Sequence, residues 1–290
     1  MAGWKLVADF DAHGKHAQAV AFSRDGKLLV SVGQDARVRL FAAGDFSPAG
    51  AFEGHTKSAN TISFSPDGKR LATGSTDLTV RVWSFPGGKP LGVLRGRLSA
   101  AFSPDGRFLA AVSAKPLVAL FDATSLEEKG DLPKLDTRLL ALAFSPDGAV
   151  LLAGGTGPIH RVRVPGGEKL EPLKGHAVVV AAMKLSPDGK LLASSGGDGR
   201  VRLWSTKDWT EVRQMPAAGM GVLQLAFSGD GKSLALSVDR LIQVFDVASG
   251  TEAARIDVPL KGVYGVALSP DGKRLANAAA DGHVRVWERG

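Results

Sequence analysis

Apolar and polar residues alternate with a period of two in short runs along the whole chain, and no stretch keeps the 3.6-residue spacing of a helix. Residues 60–84 show the pattern. Ile62-Ser63-Phe64-Ser65 reads as a strand, and Pro66-Asp67-Gly68 turns it with a preset φ, a backbone-bonding carboxylate and a residue tolerant of positive φ. Lys69 to Thr73 returns as a second strand and Asp77-Leu78 makes the next turn. Thr79-Val80-Arg81-Val82-Trp83, β-branched and aromatic, is a third strand, and Pro90 to Leu94 after Gly87-Gly88 is a fourth. One such unit is a four-stranded antiparallel meander.

The unit recurs seven times. Its first turns are centred on Asp25, Asp67, Asp105, Asp147, Asp188, Asp230 and Asp271, at spacings of 42, 38, 42, 41, 42 and 41 residues. That period is the period of propeller blades and too regular for chance. The fold class predicted is all-β, a seven-bladed β-propeller occupying residues 1–290 as one domain. Beyond Trp287 too few residues remain for a fourth strand, while Lys5 to Phe10 precedes the first unit as Leu91 to Leu94 precedes the third. The N-terminal strand is therefore expected to complete the last blade and remove an open sheet edge.

With these marks in place, Gly54-His55 ahead of a first strand, Asp77 in the second turn and Val82-Trp83 ending the third strand, the chain resembles the WD-repeat (WD40) β-propeller family from about Trp4 to Trp287. The resemblance implies a buried structural tetrad within a blade. His55, Thr73, Asp77 and Trp83 fill it in the second unit, and His176, Ser194, Asp198 and Trp204 in the fifth. His13, Ser31 and Asp35 match in the first unit with Phe41 in place of Trp; the last keeps Asp281 and Trp287 but has Asn277 and no His. A neutral imidazole needs an acceptor at one nitrogen and a donor at the other, which a carboxylate and a hydroxyl supply. The third unit has Ala111, Lys115 and Phe121 at these places, and the fourth has Ala153, Gly157-Pro158 and Arg163, so their polar chain is expected to be lost.

Chemistry is sparse. No Cys is present, which excludes disulfides, thiolate metal sites and a Cys nucleophile. Three of the six histidines belong to tetrads, and His16, His160 and His283 are expected to face solvent. Gly231-Lys232-Ser233 resembles the end of a phosphate loop but lies in a hairpin with Ala226 where the earlier Gly belongs, and the Ser-Pro-Asp sequences are turns. No catalytic, cofactor-binding or metal-ligating residue is assigned, and no cofactor is implied. The longest apolar run, Ala177 to Met183, cannot span a membrane, and the start of the sequence lacks an apolar leader, which points to the cytoplasm.

A formal net charge of +7 remains to be placed. Lys27, Lys69, Arg107, Lys190, Lys232 and Lys273 each follow a turn aspartate by two residues, so the bottom face is nearly neutral. The unmatched charge falls on the loops that join successive units at the opposite, top face: Lys15, His16, Lys57, Arg95, Arg97, Lys134, Arg138, Lys174 and Lys261, against Glu53, Asp136 and Glu171. Tyr264 shares that rim, and Gln34 and Thr76 precede tetrad aspartates. These residues are the candidate partner-binding set of a non-enzymatic scaffold or complex subunit that docks proteins through an acidic surface or peptide. Nucleic acid is the alternative ligand, disfavoured by the lack of aromatics interleaved with the cations; an enzyme with a channel-mouth site is the third reading.

Overall fold

The computed structural model describes residues 3–96, 99–112, 117–135, 138–219, 221, 224–259 and 262–290. They form seven four-stranded antiparallel sheets and no helix, so none is long and apolar enough to cross a membrane. Six sheets are consecutive meanders. In the seventh, Trp4–Asp11 pairs with His283–Arg289 at the far end of the chain, and the order runs from that N-terminal strand inward to Val263–Leu268. The expected closure is thus what joins the two ends of the chain.

Each inner strand packs against the inner strands of the blades on either side, and the seven of them wall a central channel. Buried side chains fall into seven clusters, each sandwiched between two neighbouring blades. Trp83 of blade two, for example, packs on blade one against Phe52, with ring centroids 5.5 Å apart. Hydrophobic burial therefore holds blade to blade, while backbone ladders hold each blade internally.

All seven first turns share one device. The hydroxyl of a serine two residues before the turn aspartate donates to its Oδ1 at 2.5–2.6 Å, and the backbone N–H two residues after it donates to the same oxygen. These bonds hold all seven carboxylates below the usual range. The carboxylates thus fix the hairpin backbone first, and among the described residues only Arg107 and Lys190 also reach theirs as ion pairs.

Blade four departs from the sequence-based alignment. Leu151 pairs with Val162 there, whereas its counterpart in blade two, Leu71, pairs with Trp83. The turn after the second strand is one residue shorter, so buried Val162 fills the Trp place and Arg163 points outward to Glu168 at 2.8 Å. Blade three packs Ala111 and Phe121 at the Ser and Trp places, both buried, as expected; Lys115 lies outside the described residues.

Candidate functional site

The tetrads form as hydrogen-bonded chains. In blade two Trp83 Nε1 donates to Thr73 Oγ1 at 2.9 Å, that oxygen lies 2.9 Å from His55 Nε2, and His55 Nδ1 lies 2.9 Å from Asp77. Blade five repeats it with Trp204, Ser194, His176 and Asp198 at 2.8, 2.8 and 3.1 Å. Blade one keeps His13 between Ser31 and Asp35 at 2.8 and 2.7 Å, while Phe41 packs on Phe10. In blades two and five the hydroxyl accepts from Trp and so donates to Nε2, which puts the ring proton on Nδ1, facing the carboxylate. Burial pushes all three imidazoles below their ordinary range against the opposing pull of the aspartates, so they are neutral at pH 7. Neutral, buried and saturated, they are part of the frame of the blade.

In blade seven Trp287 Nε1 donates to Asn277 Oδ1 at 3.0 Å, but the buried Asn277 Nδ2 has no partner because no His stands opposite. A fifth member went unread in the sequence. Arg39, Arg202 and Arg285, each four residues after a tetrad aspartate, donate to that carboxylate, the latter two at 2.8 and 2.5 Å. The signal was present as Val-Arg followed by Leu or Val and then an aromatic residue. Arg202 and Arg285 also reach an acid on the outer strand, Glu211 and Asp9 respectively, both at 3.1 Å. In blade two Asp77 is already occupied by Thr56 N, Thr79 N and Thr79 Oγ1, and Arg81 keeps a buried Nε without an acceptor. Blade six substitutes a neutral version: Gln243 accepts from Ala218 N at 2.7 Å and donates to Glu252.

The loops between blades and the turns after second strands meet at one end of the ring. Gln34 N donates to His16 O at 2.8 Å, Thr76 N to Ser58 O at 3.0 Å and Ala280 N to Gly262 O at 2.8 Å. This end carries the predicted partner-binding residues. Lys15, Gln34, Lys57, Thr76, Lys134, Arg138 and Lys174 are exposed, and the rings of His16 and Tyr264 meet at a tilt of 44° with centroids 5.6 Å apart as a half-buried pair. Arg97 and Lys261, like Asp136, lie outside the described residues.

Two of the predicted cations are not free. Arg95 forks onto Glu128 at 2.5–2.9 Å and reaches Asp131 at 2.9 Å on the outer strand of the next blade, which raises its pKa above the ordinary range. Lys174 pairs with Glu171 at 3.1 Å. Glu53 is likewise taken by Arg37. What remains without an ion pair, among the described residues, is Lys15, Lys57, Lys134 and Arg138. The other three histidines are half-buried rather than solvent-facing; His283 Nδ1 lies 2.6 Å from Asp9, an acid contributed by the closing strand. No group of three or more His, Asp and Glu with metal-ligand geometry occurs among the described residues.

Comparison with known proteins follows this geometry. The family description "WD domain, G-beta repeat" matches residues 4–41, 46–84, 167–205 and 255–288, more than half of the chain. An uncharacterized WD repeat-containing protein from Synechocystis sp. is 31% identical over 121 residues, 41% of this chain and 35% of its own. The small ribosomal subunit protein RACK1 of Schizosaccharomyces pombe is 30% identical over 123 residues, 39% of each. Coronin-7 of Bos taurus is 30% identical over 151 residues, 48% of this chain and 16% of its own. Each match spans well under half of the relative's length. The family matches take in the blades that hold a His–Asp tetrad or its Asn277 variant and leave out the bodies of blades three, four and six. The chain belongs to the WD40 family, the WD domain, G-beta repeat.

Proposed function

We propose that the protein is a non-enzymatic interaction platform that docks an acidic segment of a partner protein on its top face, as a subunit of a larger assembly. The observation that carries this reading is the set of exposed cations Lys15, Lys57, Lys134 and Arg138, all at one end of the ring and without an ion pair among the described residues. Charge of one sign gathered on one face steers an oppositely charged partner and weakens as salt screens it. Gln34 and Thr76 add exposed hydrogen-bonding groups to that end, and the His16–Tyr264 pair adds an aromatic surface. A relative named as a ribosomal subunit protein supports membership of an assembly in general. The test is binding of a polyglutamate peptide at low and moderate salt to the wild type and to the Lys15→Glu, Lys57→Glu, Arg138→Glu triple variant. Salt-sensitive binding lost in the variant is expected. Equal binding by both proteins refutes the reading, and preferential binding of single-stranded RNA in the same assay moves it to nucleic acid.

A further inference from the structure

One of the arginines beside the tetrads is left without an acceptor. Arg39, Arg202 and Arg285 each donate to their own tetrad aspartate, and the last two also send Nε to an acid on the outer strand, Glu211 and Asp9, both at 3.1 Å. Arg81 stands at the same place in blade two, two residues before Trp83, and has neither bond. Asp77 is filled by His55, Thr56 and Thr79, and the outer strand Pro90–Arg95 carries no acid. Glu53, next to the Gly54 that lies against the Arg81 guanidinium, is held by Arg37 at 3.1 Å. Arg81 is half-buried, makes no hydrogen bond or ion pair among the described residues, and has its Nε sealed from water. A buried charged donor left unmet costs free energy that an acceptor arriving from outside returns.

The ladder fixes where that acceptor belongs. Arg81 pairs with Val93 across the last two strands of blade two, as Arg285 pairs with Asp9 in blade seven. Paired residues share a face of the sheet, so Val93 takes in blade two the place of the Asp9 side chain, and it is 54% exposed. Leu91 on the same strand is 38% exposed. The face that carries Arg81 and Trp83 looks toward blade one, where Trp83 packs with Val38, Leu40 and Phe52. Across from it the outer strand of blade one has Gly50, paired with Leu40, and a Cβ added there would meet nothing within 4 Å. The equivalent glycine of blade two is covered: a Cβ on Gly92 would meet Leu126 of the blade-three hairpin at 2.7 Å. The blade-two hairpin has Gly88 at the place of Leu126, with no side chain to reach across, so the groove between the outer strands of blades one and two stays open.

We propose that this groove binds an extended segment of a partner protein whose Asp or Glu side chain forks onto Arg81 while aliphatic neighbours cover Val93 and Leu91. The partner's carboxylate does for Arg81 what Glu211 and Asp9 do for Arg202 and Arg285, through the planar two-pronged contact a guanidinium favours. A free carboxylate ion would leave the two exposed aliphatic side chains uncovered, whereas a peptide meets both the charge and the apolar surface. The site uses none of Lys15, Lys57, Lys134 and Arg138 and is independent of the docking surface proposed above.

The sister blades supply the variants that test it. The whole chain is titrated calorimetrically with the capped peptide acetyl-Ala-Val-Glu-Val-Ala-amide and with its Gln counterpart. The Glu peptide is expected to saturate one site and to bind about tenfold tighter than the Gln peptide. Arg81→Gln, which installs the residue that blade six carries as Gln243 two positions before Phe245, should remove that preference. The double variant Lys15→Gln, Arg138→Gln should keep it. A second readout needs no peptide. Val93→Asp places a carboxylate in the register of Asp9, so it should melt about 2–3 °C above Val93→Asn, and in the Arg81→Gln background the two should melt together. Val93→Asp should also lose the Glu peptide, its groove being already filled. Failure of the Glu peptide to bind, equal binding of the two peptides, a preference that survives Arg81→Gln, or equal midpoints for Val93→Asp and Val93→Asn overturns the proposal. So does undiminished binding by Val93→Asp, and a preference lost in Lys15→Gln, Arg138→Gln moves the carboxylate to the top face and overturns it as well.

Discussion

Replacing Thr73 with Val keeps the shape of the side chain and removes one oxygen. That oxygen is fully buried, accepts from Trp83 Nε1 at 2.9 Å and donates to His55 Nε2 at 2.9 Å. The variant therefore leaves a buried donor and a buried acceptor unmet, each at a cost of about 1–3 kcal/mol, so a loss of about 3 kcal/mol is expected in total. Against a global stability of about 5–15 kcal/mol this is large, and it should lower the calorimetric midpoint by roughly 5–10 °C. The double variant Thr73→Val, Trp83→Phe separates the contributions. Blade one already carries Phe41 at the Trp place while its His13, Ser31 and Asp35 stay bonded, so the phenyl ring is compatible with the blade. Removing the indole N–H along with its acceptor deletes one of the two unmet groups, so the double variant should be more stable than the sum of the singles by about 1 kcal/mol. A midpoint for Thr73→Val within 1 °C of the wild type, or strict additivity in the double variant, refutes the view that these hydrogen bonds hold the blade.

Three further outcomes follow from the same contacts. Because burial holds His13, His55 and His176 below the ordinary imidazole range, the unfolded chain takes up protons first as pH falls; their contribution to stability is complete above about pH 6.5 and fades below it. The lowered aspartates lose theirs at more acid pH, so midpoints should already decline between about pH 7 and pH 5.5, and a flat profile there contradicts neutral tetrad histidines. Asp9→Asn should cost about 1 kcal/mol by urea denaturation, since Asp9 joins His283 and Arg285 across the ring closure but is partly exposed and screened; a change larger than that of Thr73→Val would show the closing pair to be the dominant constraint. Gly229→Ala places a Cβ into the backbone carbonyl of Pro270 in the next blade, whereas a Cβ at Gly92 meets only the movable end of Leu126 at 2.7 Å. The first should cost about 3 kcal/mol and the second about 1 kcal/mol, and the reverse order in thermal melts would refute the close approach of the two turns.

The repeat was legible because each blade writes the same local chemistry: a serine, a turn aspartate and a glycine return at nearly constant spacing, and each acts within a few residues of itself. Tetrads were legible for a similar reason, since His55, Thr73, Asp77 and Trp83 sit at fixed offsets. Fixed offsets also produced the error in blade four, where a turn shorter by one residue moved Val162 into the Trp place and turned Arg163 outward. The arginines beside the tetrads were overlooked because a strand arginine reads as a solvent-facing residue until a buried carboxylate is found beside it.

Charge was the least legible property, and the reason is geometric. Arg95 meets Glu128 and Asp131 only because the outer strands of successive blades lie side by side, a neighbourhood some 33–36 residues away in the chain. Counting charges loop by loop therefore overstates the positive end of the ring by Arg95 and Lys174. That correction has a consequence for function. A cation that already holds a partner contributes rigidity, whereas an unpaired one is free to exchange water for an incoming anion. Sorting cations by partner rather than by position separates Arg39, Arg95, Arg202 and Arg285, which hold blades together, from Lys15, Lys57, Lys134 and Arg138, which have no ion pair among the described residues. Reversing a member of the first group should lower stability and leave anion binding intact in the molecules that remain folded. A member of the second group should do the opposite.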